Sequence, residues 1–330
     1  MRRGCSTTTD FRAAARRRLP RFLFDYIDGA AYDEETCRRN IEDLRGVQLR
    51  QRVLRDVSAI DTRIDLLGES WSMPVALGPV GLAGMYARRG EAQAARAAGA
   101  RGIPMCVSTM SLCSLEEIAA AGGRPPWFQL YIMRDRRFLQ ELVDRAVATG
   151  CGTLVLTVDL PVPGARYRDA HSGMSGSHAG LQRLLQALWH PAWALDVGLL
   201  GRPHRLGNLE PLIGARNHIR DYMGWISRNF DASVTWREVD ELRRRWPGRL
   251  VLKGILDPDD ARESLNHGVN AIVVSNHGGR QLDGVPSSAA ALPGIVAAVG
   301  SKFPVLVDGG VRSGLDVVRM MSLGARGVRR

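Results

Sequence analysis

The chain has 330 residues, 45% of them hydrophobic, enough to bury the core of one α/β barrel domain with extra segments, which excludes large-scale disorder. Its formal net charge is +11, yet the arginines are spread among Asp and Glu and no aromatic-basic platform accompanies them, so nucleic acid is not an expected partner. The five cysteines (Cys5, Cys37, Cys106, Cys113, Cys151) contain no CxxC pair, which speaks against a disulfide framework and a zinc site and for a reducing cytoplasm.

Behind Arg2 and Arg3 there is no apolar h-region, and no apolar stretch is long enough to span a bilayer, so any membrane contact is expected to be peripheral. Asp10 to about Asn40 reads as short helices broken at Leu19-Pro20, with an apolar face from Phe22, Phe24 and Ile27, and residues 1–72 are assigned to an N-terminal helical cap. From Met73 a βα rhythm sets in, each apolar run closing on Gly, Ser, Thr or Asp before a segment rich in Ala and Arg. Seven strands are predicted: Pro74 to Pro79, Pro104 to Ser108, Trp127 to Tyr131, Thr153 to Asp159, Leu250 to Lys253, Ala271 to Ser275 and Pro304 to Asp308. An eighth starts at Gly327-Val328 but meets Arg329 and Arg330. The expectation is therefore a single domain of the α/β class: a TIM (β/α)8 barrel over 73–330, incomplete at the eighth βα unit, with strand 8 and helix 8 missing and the edges of strands one and seven open. An insertion at about 168–235 carries Leu181, Leu184, Leu185, Leu188, Trp189, Trp193 and Leu195 beside Arg183, His190 and Arg202. It reads as an amphipathic lobe whose tryptophans either pack on the barrel or meet a membrane interface.

In such a barrel chemistry sits where strands end on the C-terminal face. The most specific run is Ser275-Asn276-His277-Gly278-Gly279-Arg280-Gln281-Leu282-Asp283. There His277 suits a general base, Arg280 suits a bidentate hold on a carboxylate, and the glycines admit close backbone approach. Thr157-Val158-Asp159-Leu160-Pro161 ends another strand, with Arg166 farther along the loop; Gln129-Leu130-Tyr131, Pro79-Val80-Gly81 and Ser108-Thr109 end three more. Near the N-terminus, Asp25-Tyr26 adds a further polar pair. Of the 45 lysines and arginines only Lys253 and Lys302 are lysine, so Lys253 in Leu252-Lys253-Gly254 points to a shape-specific role. Asp308-Gly309-Gly310-Val311-Arg312-Ser313-Gly314 leads from a strand into a helix, offering backbone N–H groups, a helix dipole and an arginine to a phosphate. Taken singly, a core histidine, an N-cap aspartate, a core tyrosine and a snorkelling lysine would account for these residues. The Asn-His-Gly-Gly-Arg company is what sets His277 apart.

From about Asp10 to Gly327 these motifs, in this order, resemble those of the FMN-dependent L-2-hydroxy-acid dehydrogenases. Gly164-Ala165-Arg166-Tyr167-Arg168-Asp169-Ala170-His171-Ser172-Gly173-Met174 is most similar to the bacterial membrane-associated, quinone-linked L-lactate dehydrogenase branch. The resemblance implies oxidation of an L-2-hydroxy acid, above all L-lactate to pyruvate, with FMN as electron acceptor and a quinone or other respiratory acceptor beyond it; oxygen is the alternative. It implies that His277 removes a proton, Asp159 stabilises its protonated form, Arg166, Arg280 and Tyr26 hold the substrate carboxylate, and Tyr131 bonds the hydroxyl. Lys253 would face the flavin N1 and O2 edge, with Pro79, Val80, Gly81, Ser108, Gln129 and Thr157 against the ring system. Ser275 joins the cofactor set, Asp308 would bind ribityl hydroxyls, and Gly309, Gly310 and Arg312 the phosphate. A homo-oligomer, peripheral on the cytoplasmic side of the inner membrane, is implied as well. The pattern departs at Gly324-Ala325-Arg326-Gly327-Val328-Arg329-Arg330, where the family continues into a Gly-Arg pair that completes the phosphate site. The expectation there is a truncated product with reduced stability and FMN affinity; an inactive fragment and another phosphate-binding barrel remain as alternatives.

Overall fold

Thr7 and Asp10 cap the first helix reciprocally, α1 (Thr8–Arg18), and Pro20 opens the second, α2 (Arg21–Asp28), before α3 (Glu35–Gly46). The computed structural model describes residues 4–174, 179–213 and 222–330, so Arg2, Arg3 and two stretches of the insertion lie outside the described residues. Helix α2 buries Phe22, Leu23, Phe24, Asp25 and Tyr26, whereas Ile27, expected on that apolar face, is 39% exposed.

The segment assigned to the cap is not wholly helical. Residues β1 (Ile64–Leu66) and β2 (Glu69–Trp71) form an antiparallel hairpin around Leu67-Gly68, both at positive φ (54° and 78°), as a two-residue type I′ connection requires. Leu66 and Trp71 enter the barrel interior from this hairpin and pack with Cys106, Trp127 and Leu306. The hairpin thus plugs the end of the barrel opposite the strand C-termini.

Eight parallel strands follow: β3 (Val75–Ala76), β4 (Cys106–Ser108), β5 (Trp127–Leu130), β6 (Thr153–Thr157), β7 (Arg249–Ile255), β8 (Ala271–Val274), β9 (Val305–Val307) and β10 (Gly327–Arg329). Their order is β3-β10-β9-β8-β7-β6-β5-β4, and a parallel bridge between Leu77 and Met105 joins the two ends. The expectation that strand 8 is missing is corrected by β10. Val328 pairs with Val75 on one side and Val307 on the other, so neither β3 nor β9 is left as an open edge. A few residues suffice because β3 and β9 are themselves only two and three residues long.

Between the strands run α4 (Gly90–Ala100), α5 (Leu115–Gly122) and α6 (Arg136–Ala148). The insertion holds α7 (Tyr167–Ser172), α8 (Ala179–Leu188), α9 (Pro191–Trp193) continuing as a π-helical turn Ala194–Leu199, α10 (Glu210–Ile213) and α11 (Tyr222–Asn229). The barrel resumes with α12 (Trp236–Arg245), α13 (Pro258–Ser264), α14 (Ser288–Val299) and α15 (Gly314–Ser322). Ser114, Asp135, Asp257, Ser287 and Ser313 each cap the helix they precede by accepting a backbone N–H, which fixes where these five βα loops end. Alternate strand residues divide the core: Cys106, Val155, Val251, Val273 and Leu306 fill the lumen, while Phe128, Leu154, Leu252, Ile272 and Val307 pack outward on the helices.

Candidate active site

The period of two that fills the lumen also sets its upper layer. Two residues beyond the lumen positions Cys106, Trp127, Val155, Val251, Val273 and Leu306 come Ser108, Gln129, Thr157, Lys253, Ser275 and Asp308. Above them is a cavity of about 320 Å³ at the C-terminal face of the barrel.

His277 stands on the tight turn after β8 with φ 56°, a left-handed conformation that a non-glycine residue adopts only when its surroundings enforce it. Its backbone N–H donates to Ser275 Oγ (3.1 Å), and Gly279 N–H closes the turn on the Asn276 carbonyl (3.0 Å). The imidazole Nδ1 lies 2.8 Å from Asp159 Oδ1. Because the carboxylate can only accept, this bond assigns the proton to Nδ1 and leaves Nε2 with a free lone pair. Burial pushes the His277 pKa down, with Asp159 opposing and Lys253 assisting, and the net direction is below the ordinary value. For Asp159, burial pushes upward, but the charges of His277 and Lys253 outweigh it and hold the carboxyl below its usual range. Near neutral pH the pair is therefore a neutral imidazole backed by a carboxylate, a base ready to take a proton. Gly254, at φ 113°, makes room for this pair, since a Cβ there would lie 2.5 Å from Asp159 Cβ.

Two guanidinium groups face the same cavity. Arg166 and Arg280 sit 5.4 and 5.1 Å from the centre of the Tyr26 ring. Arg166 Nε donates to the Arg280 carbonyl (3.3 Å), and Arg280 Nη1 to the Gly29 carbonyl. Tyr26 is held in place by its helix: Arg168 ties α2 to the insertion through Asp25 (2.9 Å) and Asp28 (3.0 Å), and reaches the start of α3 through Glu34 (3.3 Å). Tyr131 stacks on Phe230 with centroids 4.6 Å apart. Burial, then the nearby Asp159 charge, pushes its phenol pKa upward, so it stays protonated and can donate a hydrogen bond.

The residues expected to hold a cofactor form the cavity floor and one end. Lys253 Nζ donates to Ser275 Oγ (2.8 Å) and pairs with Asp308 Oδ2 at 3.3 Å. Ser108 Oγ donates to Gln129 Oε1 (3.1 Å), leaving Gln129 Nε2 buried without a partner among the described residues. Among them Thr157 Oγ1 and Asp308 Oδ1 are also buried and unbonded. Such orphaned donors and acceptors call for a polar ligand in the cavity. Pro79, Val80 and Gly81 add the loop after β3 to the wall. Gly309 and Gly310 turn at φ 97° and 77° beneath α3, where a Cβ on Gly310 would lie 2.0 Å from the Asn40 carbonyl oxygen. Arg312 and the N-terminus of α15 follow. A flat ring over the strand ends and a polyol phosphate at the glycine turn fit these residues. Of the predicted site residues, only Asp159 and Ser275 stand behind the wall rather than in it, each bonded to a residue that lines the cavity.

The cavity also includes residues that the sequence reading did not assign. Phe230 comes from the end of the insertion, too remote in sequence to be linked to Tyr131, while Tyr86 places a buried hydroxyl without a hydrogen-bond partner in the wall. Arg329 and Arg330 also line the cavity, although the sequence marks Gly324 to Arg330 only as the place where the family pattern departs. Alternation along β10 was the available signal: Gly327 faces the lumen beside Trp71, so Arg329 does too.

Proton removal beside a bound carboxylate, above a cradle for a phosphorylated ring, is flavin oxidoreductase chemistry. The chain belongs to the FMN-dependent dehydrogenase family, which it matches over residues 15–329, and FMN is its cofactor. It is 61% identical over 323 residues to an L-lactate dehydrogenase of Caulobacter sp. (strain K31), covering 98% of this chain and 85% of that one. It is likewise 61% identical over 320 residues to an L-lactate dehydrogenase of Alcaligenes faecalis, covering 97% and 84%. Among solved structures, the monotopic membrane protein (S)-mandelate dehydrogenase superposes with a TM-score of 0.91 at 36% identity, over 99% of this chain and 87% of that one. A mandelate oxidase superposes with a TM-score of 0.81 at 37% identity, over 98% and 84%.

Proposed function

We propose that this enzyme oxidises L-lactate, or a closely related L-2-hydroxy acid, to the 2-oxo acid, passing the electrons to a quinone or another respiratory acceptor. The observation that carries this reading is the 2.8 Å pairing of His277 with Asp159 in the cavity that also holds Arg166 and Arg280. The substrate carboxylate lies on the two guanidinium groups, with Tyr26 beside it. Tyr131 donates to the hydroxyl oxygen, and His277 Nε2 takes a proton while Asp159 stabilises the imidazolium that forms. Bound FMN supplies the two-electron acceptor. Lys253 would place a compact cation beside the bound cofactor, Ser108, Gln129, Thr157 and Ser275 would orient it, Asp308 would hold polyol hydroxyls, and Gly309, Gly310 and Arg312 would hold the phosphate.

The insertion supports a peripheral seat on a membrane. Trp193 packs inward, edge-on to Phe22 at 6.3 Å with Nε1 donating to the Met85 carbonyl (2.8 Å). Trp189 is 84% exposed and continues a surface of Leu181, Leu184, Leu185 and Leu188 on α8. No helix among the described residues is long and apolar enough to cross a membrane. This surface suits the cytoplasmic face of the inner membrane, where a quinone pool is within reach, and the enzyme would act there as a homo-oligomer.

The test is anaerobic addition of L-lactate to the FMN-reconstituted protein. Loss of the visible flavin band, followed by its return on addition of a quinone analogue, is expected. Protein that takes up no flavin, or flavin that L-lactate leaves oxidised, would overturn the reading. The likeness to a mandelate oxidase favours oxygen as a second reading, and rapid stoichiometric peroxide on reoxidation in air would select it.

A further inference from the structure

Arg329 is a charge that the chemistry above leaves unused. It closes β10 with its side chain in the barrel interior, among lumen positions occupied by Ala76, Cys106, Trp127 and Leu306. The residue is 1% exposed, yet among the described residues its three guanidinium nitrogens reach no oxygen acceptor, and the Cys106 thiol is the one polar side chain near enough to bond them. Its guanidinium carbon lies 5.9 Å from the Trp127 ring centre, and the Cys106 thiol is its polar neighbour. Arginine does not deprotonate in a protein interior, so the lumen holds a full positive charge away from water. In that setting the field of a cation is screened far less than at a surface.

A structural arginine would show bonds to carbonyls or a carboxylate, and a surface one would reach solvent; among the described residues Arg329 does neither. Asp308, the carboxylate that shares the cavity with it, pairs with Lys253 through Oδ2 at 3.3 Å, and its unbonded Oδ1 makes no bond to Arg329. What remains is the occupant of the cavity, whose wall Arg329 helps to form. We propose that Arg329 is a second cation acting on the flavin ring from within the barrel, favouring the anionic reduced form and raising the potential of bound FMN above that set by Lys253 alone. The inference rests on the reading that this cavity takes FMN. Oxidation of a 2-hydroxy acid releases two electrons and two protons. The ring takes both electrons and one proton and becomes an anion, while the second proton rests on His277. Lys253 and Arg329 then share the negative charge.

The experiment compares the full chain with Arg329→Met, Arg329→Gln and Arg329→Lys, each reconstituted with FMN. Sulfite is the probe, because its addition to the oxidised ring leaves that ring anionic. Sulfite affinity should fall about tenfold in the Met and Gln variants, with the two-electron potential lower by about 30 mV, while Lys retains most of both. Unchanged sulfite affinity and potential in flavin-loaded Arg329→Met and Arg329→Gln would overturn the inference and leave the cofactor reading standing. A loss confined to FMN affinity would place the charge on the phosphate and overturn it equally. Absence of flavin uptake by all four proteins would overturn the cofactor reading itself, and this inference with it.

Discussion

In the proposed reaction His277 and Asp159 share one proton-handling task, and their substitutions should separate by pH as well as by rate. Replacing His277 with Gln keeps a hydrogen-bonding shape but removes the base; kcat/KM for L-lactate should fall by about 10³-fold while the flavin spectrum persists. As the proposed base, His277 would act when neutral, and its pKa lies below the ordinary histidine value. The acid limb of kcat/KM should therefore fall below pH ~6.5, the unperturbed value. Asp159 works to raise the His277 pKa, so Asp159→Asn should move that limb to still lower pH while cutting the rate by about 10²-fold. An acid limb that shifts upward in Asp159→Asn would reject the assigned pairing. His277 and Arg280 were readable from one short run, and Lys253 from its rarity. Phe230 and Tyr86 were not, because each joins the cavity only through tertiary packing, with no local signature of polarity or spacing.

At the scale of single elements, short strands and tight turns decide which side chains meet. Strand β7 changes register between Lys253 and Ile255, and Gly254 at that irregularity leaves the space that Asp159 occupies. Gly254→Ala combines a strained positive φ with a close approach to Asp159, and should cost about 1–3 kcal/mol of stability. It should also lower kcat, since the carboxylate is pushed off His277; normal turnover with normal denaturant resistance would contradict this role. Seven strand positions could be read from apolar runs ending on polar residues. The eighth was misjudged because Arg329 broke the apolar run, although Val328, which carries the pairing to both neighbours, was already in view. The β1–β2 hairpin was missed for a related reason: Leu67 takes a positive φ that its residue type does not advertise. Only the following Gly68 marks the turn.

For the whole molecule, α2 links the cavity to the apolar lobe. Helix α2 carries Tyr26 into the cavity and also packs through Phe22 on Trp193 of the insertion, so the lobe is braced against the same cap that completes the site. The sequence left the two tryptophans of the lobe undecided because an amphipathic segment has the same composition whether its apolar side meets a barrel or a bilayer. The fold divides them, turning Trp193 inward and leaving Trp189 and the leucines of α8 outward. Burying one Leu or Trp side chain in an apolar phase contributes about 1.5–3 kcal/mol, so three such residues would dominate attachment even before the net charge of the chain is considered. The combined substitution Leu184→Ser, Leu188→Ser and Trp189→Ser removes that contribution without touching the cavity wall. Partition onto vesicles containing phosphatidylglycerol should drop by about tenfold or more, because even 1.4 kcal/mol is a factor of ten in an equilibrium. Bleaching of the flavin by L-lactate in detergent-free buffer should be unchanged. Reduction of a lipid-dissolved quinone should fall together with vesicle binding. Equal vesicle partition of the triple variant and the native protein would show that the exposed face of α8 is not the membrane contact.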